Sequence, residues 1–198
     1  MMNNTFDKFI EKLKSLYKER LVSVIVYGSC AEEECSAVCP DINSIVIIDK
    51  LEAADLETLQ PLLKDWVKTK SPVPLFMDRE EWFNSTDVYP IEYSDIKARY
   101  RIVYGEDIVE PIVLDHKNLR HQCEYELKSL LIKLRQSYVI KHDLKGLVKS
   151  GSKTLKALLR AVSLLTKEPV PVRNQNETIK ELIDNVLYLL KYVDKLEE

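Results

Sequence analysis

The stretch VIVYGSCAEEECSAVCPDINSIVIID, from Val24 to Asp49, holds two runs of β-branched residues. A Gly-Ser pair ends the first run, and Asp41-Ile42-Asn43 leads into the second. Val and Ile favour a pleated, half-buried surface, so "LVSVIVY" (21–27) and "SIVII" (44–48) are expected strands. Glycine permits a turn that other residues resist, and Ser, Asp and Asn supply oxygen atoms at its edge. Taken alone, Gly28-Ser29 fits a plain turn and Asp41-x-Asn43 fits a loop-to-strand cap. The alternative is that the two meet in one polar hollow.

The spacing on either side gives the organisation. Phe6, Ile10, Leu13 and Tyr17 mark one face of a helix over about 5–20, so the start is not expected to be a signal peptide. "EAADLETLQPLLKDWVKTK" (52–70) is amphipathic, with Pro61 expected to kink or bound it. "PVPLFM" (72–77) reads as a Pro-bounded third strand and "REEWFNS" as a short helix. "DVYPIEYSDI" (87–96) reads as a fourth extended segment and "RYRIVYG" as a last small strand. From about 115 the β-branched runs stop. Three helical patterns follow, through Leu119–Tyr138, Leu155–Leu165 and Ile179–Leu190, with "KEPVPVRNQNE" separating the last two. An α+β unit over 1–112 is therefore expected before a helical bundle over 113–198.

The 198 residues are 45% hydrophobic and 31% charged, as expected of a soluble globular chain with a real core. No apolar run reaches the roughly 20 residues of a membrane span, so the cytoplasm is the expected compartment and a membrane partner is not expected. Four cysteines, without a Cys-x-x-Cys pair, argue against zinc; Cys30, Cys35, Cys39 and Cys123 are expected as reduced loop and core thiols. The net charge of −3 is unevenly spread. Residues 1–114 carry 13 Lys+Arg against 21 Asp+Glu, residues 115–198 carry 16 against 11. The basic half suits a phosphate-bearing partner or the acidic half itself.

The segment "YGSC…PDINSIVII" resembles the signature of the polymerase β-like nucleotidyltransferase superfamily: a strand ending in Gly-Ser, a loop of about a dozen residues, then Asp-x-Asp at the head of the next strand. The succeeding bundle is similar to the kanamycin nucleotidyltransferase type and the minimal nucleotidyltransferases. The resemblance covers residues 20–110 by order of elements and implies a small mixed sheet with flanking helices. It implies that Gly28 and Ser29 hold the triphosphate of ATP or another nucleoside triphosphate. It implies a catalytic, Mg²⁺-binding role for Asp41 with Asn43, since side chains i and i+2 share a face. Lys141 and Lys145 are the expected further nucleotide contacts, beside an incoming small-molecule or protein acceptor.

Two positions depart from that pattern. Asn43 stands where the family has a second carboxylate, and an amide cannot bridge two cations. The third acid is absent from 72–77, leaving Asp78 and Glu92 as candidate replacements. A phosphoryl-transfer site with one carboxylate is weak. The expectation is thus a nucleotide-binding protein whose nucleotidyl transfer is weakened or lost. A non-catalytic regulatory or interaction protein is the rival, with a homo-oligomer through the bundle; exposed apolar residues from Leu187 to Val193 would favour it. The weakest reading is an RNA-cleaving bundle, because "RQSYVIKH" (Arg135 to His142) resembles the Arg-x(4–6)-His motif of HEPN domains. Lys141, Lys145, Lys149 and Lys153 recur every four residues and form a stripe if one helix carries them. A solvated face, or contact with the acidic half, explains that stripe better than nucleic acid does.

Overall fold

In the strand "LVSVIVY" every residue from Leu21 to Val26 is buried, which requires cover on both faces of the sheet it joins. The computed structural model describes residues 4–31, 41–69, 71–140, 143–173, 175 and 178–196, and all structural statements concern these. They form α1 (Asn4–Tyr17), β1 (Leu21–Tyr27), β2 (Asn43–Ile48), α2 (Ala53–Trp66), β3 (Leu75–Asp78) and α3 (Arg79–Asn84). Then come α4 (Pro90–Ala98), β4 (Tyr100–Gly105), α5 (His116–Ile140), α6 (Leu144–Thr166) and α7 (Ile179–Lys195). The fold class is α+β: a four-stranded mixed sheet with flanking helices, then helices alone.

The strand order is β3-β2-β1-β4. β1 runs antiparallel to β2 and β4, while β2 and β3 are parallel, as their crossover through α2 demands. Alternation along the strands sends Val24, Val26, Val46 and Ile48 into a core with Phe6, Phe9, Ile10, Leu13 and Tyr17 of α1. The opposite face carries Ile25, Ile45 and Ile47, all fully buried. α3 packs on β2 and β3, and its Trp82 indole N–H donates to the Ile108 carbonyl at 3.0 Å. Pro61 lies inside α2 rather than at its boundary. It occupies the third turn, where its ring costs one backbone hydrogen bond and the buried Leu59 and Trp66 hold the helix on either side.

At the start of α2, Arg20 donates twice to the Asp55 carboxylate, at 2.8 and 3.2 Å. This guanidinium, helped by the Glu52 backbone, holds the Asp55 carboxyl below its ordinary value even though burial opposes it. A depressed carboxyl adds stability above its unfolded value near pH ~4 and loses it as pH falls through the folded value. In urea titrations Asp55→Asn is therefore expected to be less stable than the native chain at pH 7. The gap should close as the pH drops below about 4.

The chain divides into two compact units, unit 1 (Met1–Thr86 and Ile96–Val113) and unit 2 (Asp87–Asp95 and Leu114–Glu198). Unit 2 is a bundle of α5, α6 and α7 around Leu127, Leu134, Leu155, Val162, Leu182 and Val186. Gly151 matters to it through size: a Cβ there would meet the buried Leu182 Cδ2 at 2.7 Å, so its absence lets α6 approach α7 closely. The segment 87–96 is not extended. Pro90 starts α4, a position whose missing N–H costs a helix nothing. Its first residues belong to unit 2, where Ile91 N–H donates to Gln122 Oε1 at 2.8 Å and Asp95 accepts two bonds from Arg160 at 2.7 and 3.0 Å. No described helix is long and apolar enough to cross a membrane.

Candidate functional site

β1 ends at Tyr27, and Gly28 turns out of the sheet at φ +75°, a left-handed conformation that glycine adopts without penalty. Its N–H donates to the Arg99 carbonyl at 2.9 Å, so the residue before β4 anchors the turn. Gly28–Ala31 then make one 3₁₀ turn with Ser29 exposed. The antiparallel register sets Tyr27 opposite Asn43 on one side and opposite Tyr100 on the other. Directly opposed residues share a sheet face, so Tyr100, Tyr27 and Asn43 form a row along one edge of the sheet.

That row brings the two sequence motifs together. A Cβ on Gly28 would lie 3.6 Å from Asn43 Nδ2, so the bare glycine faces the Asn43 amide. The Asp41 carbonyl oxygen is 3.3 Å from the Cys30 sulfur, one residue beyond Ser29. Ile42 N–H donates to Ser71 Oγ at 3.2 Å, fixing the approach to β2. Asp41 is exposed and Asn43 half-buried. Among the sequence-selected residues, Gly28, Ser29, Asp41 and Asn43 thus meet at one corner of unit 1.

The others do not join them within that unit. Asp78 pairs with Ile48 at the far end of β2, five residues beyond Asn43. At roughly 3.3 Å per residue that is about 16 Å away. Its carboxylate is also committed, accepting the Glu81 N–H at 2.8 Å to cap α3. Glu92 lies on α4 in unit 2 and accepts from Gln122 Nε2 at 2.9 Å. Lys145 is exposed on α6 of unit 2, and Lys141 and His142 lie outside the described residues. α5 ends at Ile140, and Asp143, at φ 36°, caps α6 by accepting the Gly146 N–H at 3.2 Å. A single helix therefore does not carry the lysine stripe: Lys145, Lys149 and Lys153 share α6, and Lys141 precedes its cap.

The donor set does not fit a two-cation site. The Asn43 amide faces the turn, Asp41 two residues before it is exposed, and no group of three His, Cys, Asp or Glu able to hold a metal occurs among the described residues. Cys30 is disulfide-bonded, which overturns the expectation of reduced thiols. That expectation weighed the compartment's redox poise, whereas bonding needs two sulfurs in the right geometry. Cys123 is the buried core thiol expected, with burial pushing it up to about 12. Tyr27, Tyr100 and Arg99 were not singled out from the sequence. Tyr27 precedes the Gly-Ser pair directly, but the roles of Tyr100 and Arg99 follow only from strand register.

No family model and no curated protein matches this sequence. Among solved structures, the chain is similar to the crystal structure of spectinomycin adenyltransferase AAD(9) from Enterococcus faecialis with ATP and spectinomycin. The identity is 13%, over 96% of this chain and 98% of that chain, with a TM-score of 0.45. No residue here takes its role from that neighbour.

Proposed function

We propose that unit 1 is a nucleoside-triphosphate-binding domain of nucleotidyltransferase type whose transfer chemistry is weakened or lost. The observation that carries this reading is the left-handed Gly28 set against the Asn43 amide at the mouth of β1 and β2. The bare glycine gives phosphate oxygens access to backbone N–H groups, and the Ser29 hydroxyl adds a donor. Asn43 Nδ2 donates a further hydrogen bond where a carboxylate would repel the phosphates. Among the described residues Asp41 is the one carboxylate at this corner, so binding depends little on Mg²⁺ and transfer lacks the two-cation clamp.

Calorimetry with ATP, in excess chelator and in Mg²⁺, tests this. The native chain is expected to bind ATP in chelator, and Gly28→Val to abolish that binding. Asn43→Asp is expected to weaken it about tenfold, the worth of one charge-assisted hydrogen bond, and to restore it on adding Mg²⁺. No heat with ATP in either buffer would sink the proposal, as would full affinity in Gly28→Val. The rival interaction protein gains no support from α7. Leu189, Leu190 and Val193 are buried, and Leu187, Tyr188 and Tyr192 pack partly buried against the bundle core.

A further inference from the structure

Unit 2 contains a cavity of about 550 Å³ where the start of α5 meets the end of α7. Its polar lining is His116, Lys117, Asn118, Arg120, His121 and Lys195, and Leu165 and Leu196 are its apolar walls. Among the described residues none that lines it is acidic, whereas the chain as a whole carries a net −3. The cations come from two helices, and Arg120 fixes their relation: its Nε donates to the Leu196 carbonyl at 2.7 Å. One of its terminal nitrogens also lies 3.5 Å from Glu124, so part of its charge is already matched. Asp115, just before α5, accepts the N–H groups of Lys117 and Asn118 at 2.7 and 3.1 Å. The helix start is thus already capped, and any attraction for an anion comes from side chains rather than from the helix terminus.

We propose that this cavity binds a condensed phosphate, a phosphoanhydride-linked anion of the pyrophosphate class. Lys117 belongs to α5 and Lys195 to α7, so the two cations reach the cavity from different helices and each can meet a different phosphate group. The imidazole N–H groups of His116 and His121 and the Asn118 amide donate between them. A nucleic-acid strand fits less well, because no Phe, Tyr or Trp among the described residues lines the cavity to stack a base. Bound phosphate would also draw the ends of α5 and α7 together, adding to the clamp that Arg120 supplies.

Calorimetry with inorganic pyrophosphate and tripolyphosphate, at fixed pH and salt, decides the matter. Both should bind the native chain. Lys117→Ala and Lys195→Ala should each weaken binding about tenfold, the equivalent of one charge-assisted hydrogen bond. The double variant should lose about a hundredfold, and both lysines are exposed, so folding is unaffected. Asn43→Asp, which places a negative charge in the proposed nucleotide pocket, should weaken any binding at the Gly-Ser turn and leave the lysine-dependent binding unchanged. Loss in Asn43→Asp with full binding in the lysine pair would assign the anion to the Gly-Ser turn and overturn the proposal. So would absence of binding, or a short single-stranded RNA that binds more tightly than tripolyphosphate and depends on the same lysines.

Discussion

Trp66→Ala is expected to cost unit 1 about 4 kcal/mol, a large share of the roughly 5–15 kcal/mol that holds a domain folded. Trp66 is 1% exposed, and its ring packs against Phe9 and Phe6 with centroids 5.0 and 5.6 Å away. Its indole N–H donates to the Pro72 carbonyl at 2.7 Å. Alanine leaves a cavity between α1 and α2 and removes the donor from a part-buried carbonyl, so both losses act together. Trp66→Phe fills most of the cavity and removes only the hydrogen bond, so it should cost about 1–2 kcal/mol. Urea titrations followed by circular dichroism check both, read as a midpoint shift at constant slope. An alanine variant within about 1 kcal/mol of the native chain would refute the packing account. The effect should also reach the candidate site. Pro72 follows Ser71, whose hydroxyl accepts the Ile42 N–H between Asp41 and Asn43, so ATP affinity should fall in the alanine variant and largely survive in the phenylalanine one.

How far these features can be read from the chain depends on whether local pattern or pairing register decides them. β1 and β2 are legible because Val and Ile fill consecutive positions buried on both faces. The helices of unit 2 are legible because leucines recur at helical spacing along a large core. α4 is not. It is nine residues long, Val88 and Tyr89 give it an apolar, strand-like lead-in, and Pro90 reads as a breaker although it opens the helix. The lysine stripe fails for a related reason: its period is right, but Asp143 caps a new helix inside it. Of the candidate site, the sequence supplies the residue types at 28, 29, 41 and 43. It cannot show that Asn43 opposes Tyr27, nor that Asp78 pairs with Ile48 at the wrong end of the sheet. Register is a long-range property set by cross-strand packing, and neither strand encodes it alone.

Gly105→Ala, one methyl group on an exposed residue, is expected to destabilise unit 1 by about 3 kcal/mol or more. Gly105 has φ +82°, where a residue with a Cβ loses about 1–2 kcal/mol. The Cβ would also stand 2.0 Å from the Val22 carbonyl oxygen and 2.9 Å from its carbon. Those are backbone atoms, so no side-chain rotation relieves the overlap and β4 must move away from β1, at about 1–3 kcal/mol more. The same backbone carries the exit from the strand: Glu106 N–H donates to the Val22 carbonyl at 3.1 Å, and the buried Ser23 hydroxyl donates to the Glu106 carbonyl at 2.8 Å. Both residue 66 and residue 82, the two tryptophans of the chain, lie in unit 1, so intrinsic fluorescence follows the unfolding of that unit. The variant should unfold at lower urea with an unchanged slope. It should also bind ATP more weakly, because Tyr100 and the Arg99 carbonyl that anchors Gly28 sit at the other end of the six-residue β4. A midpoint equal to that of the native chain would mean that β4 tolerates the displacement. The phosphate turn would then owe its left-handed geometry to β1 and β2 alone, and the ATP affinity of the variant should match the native value.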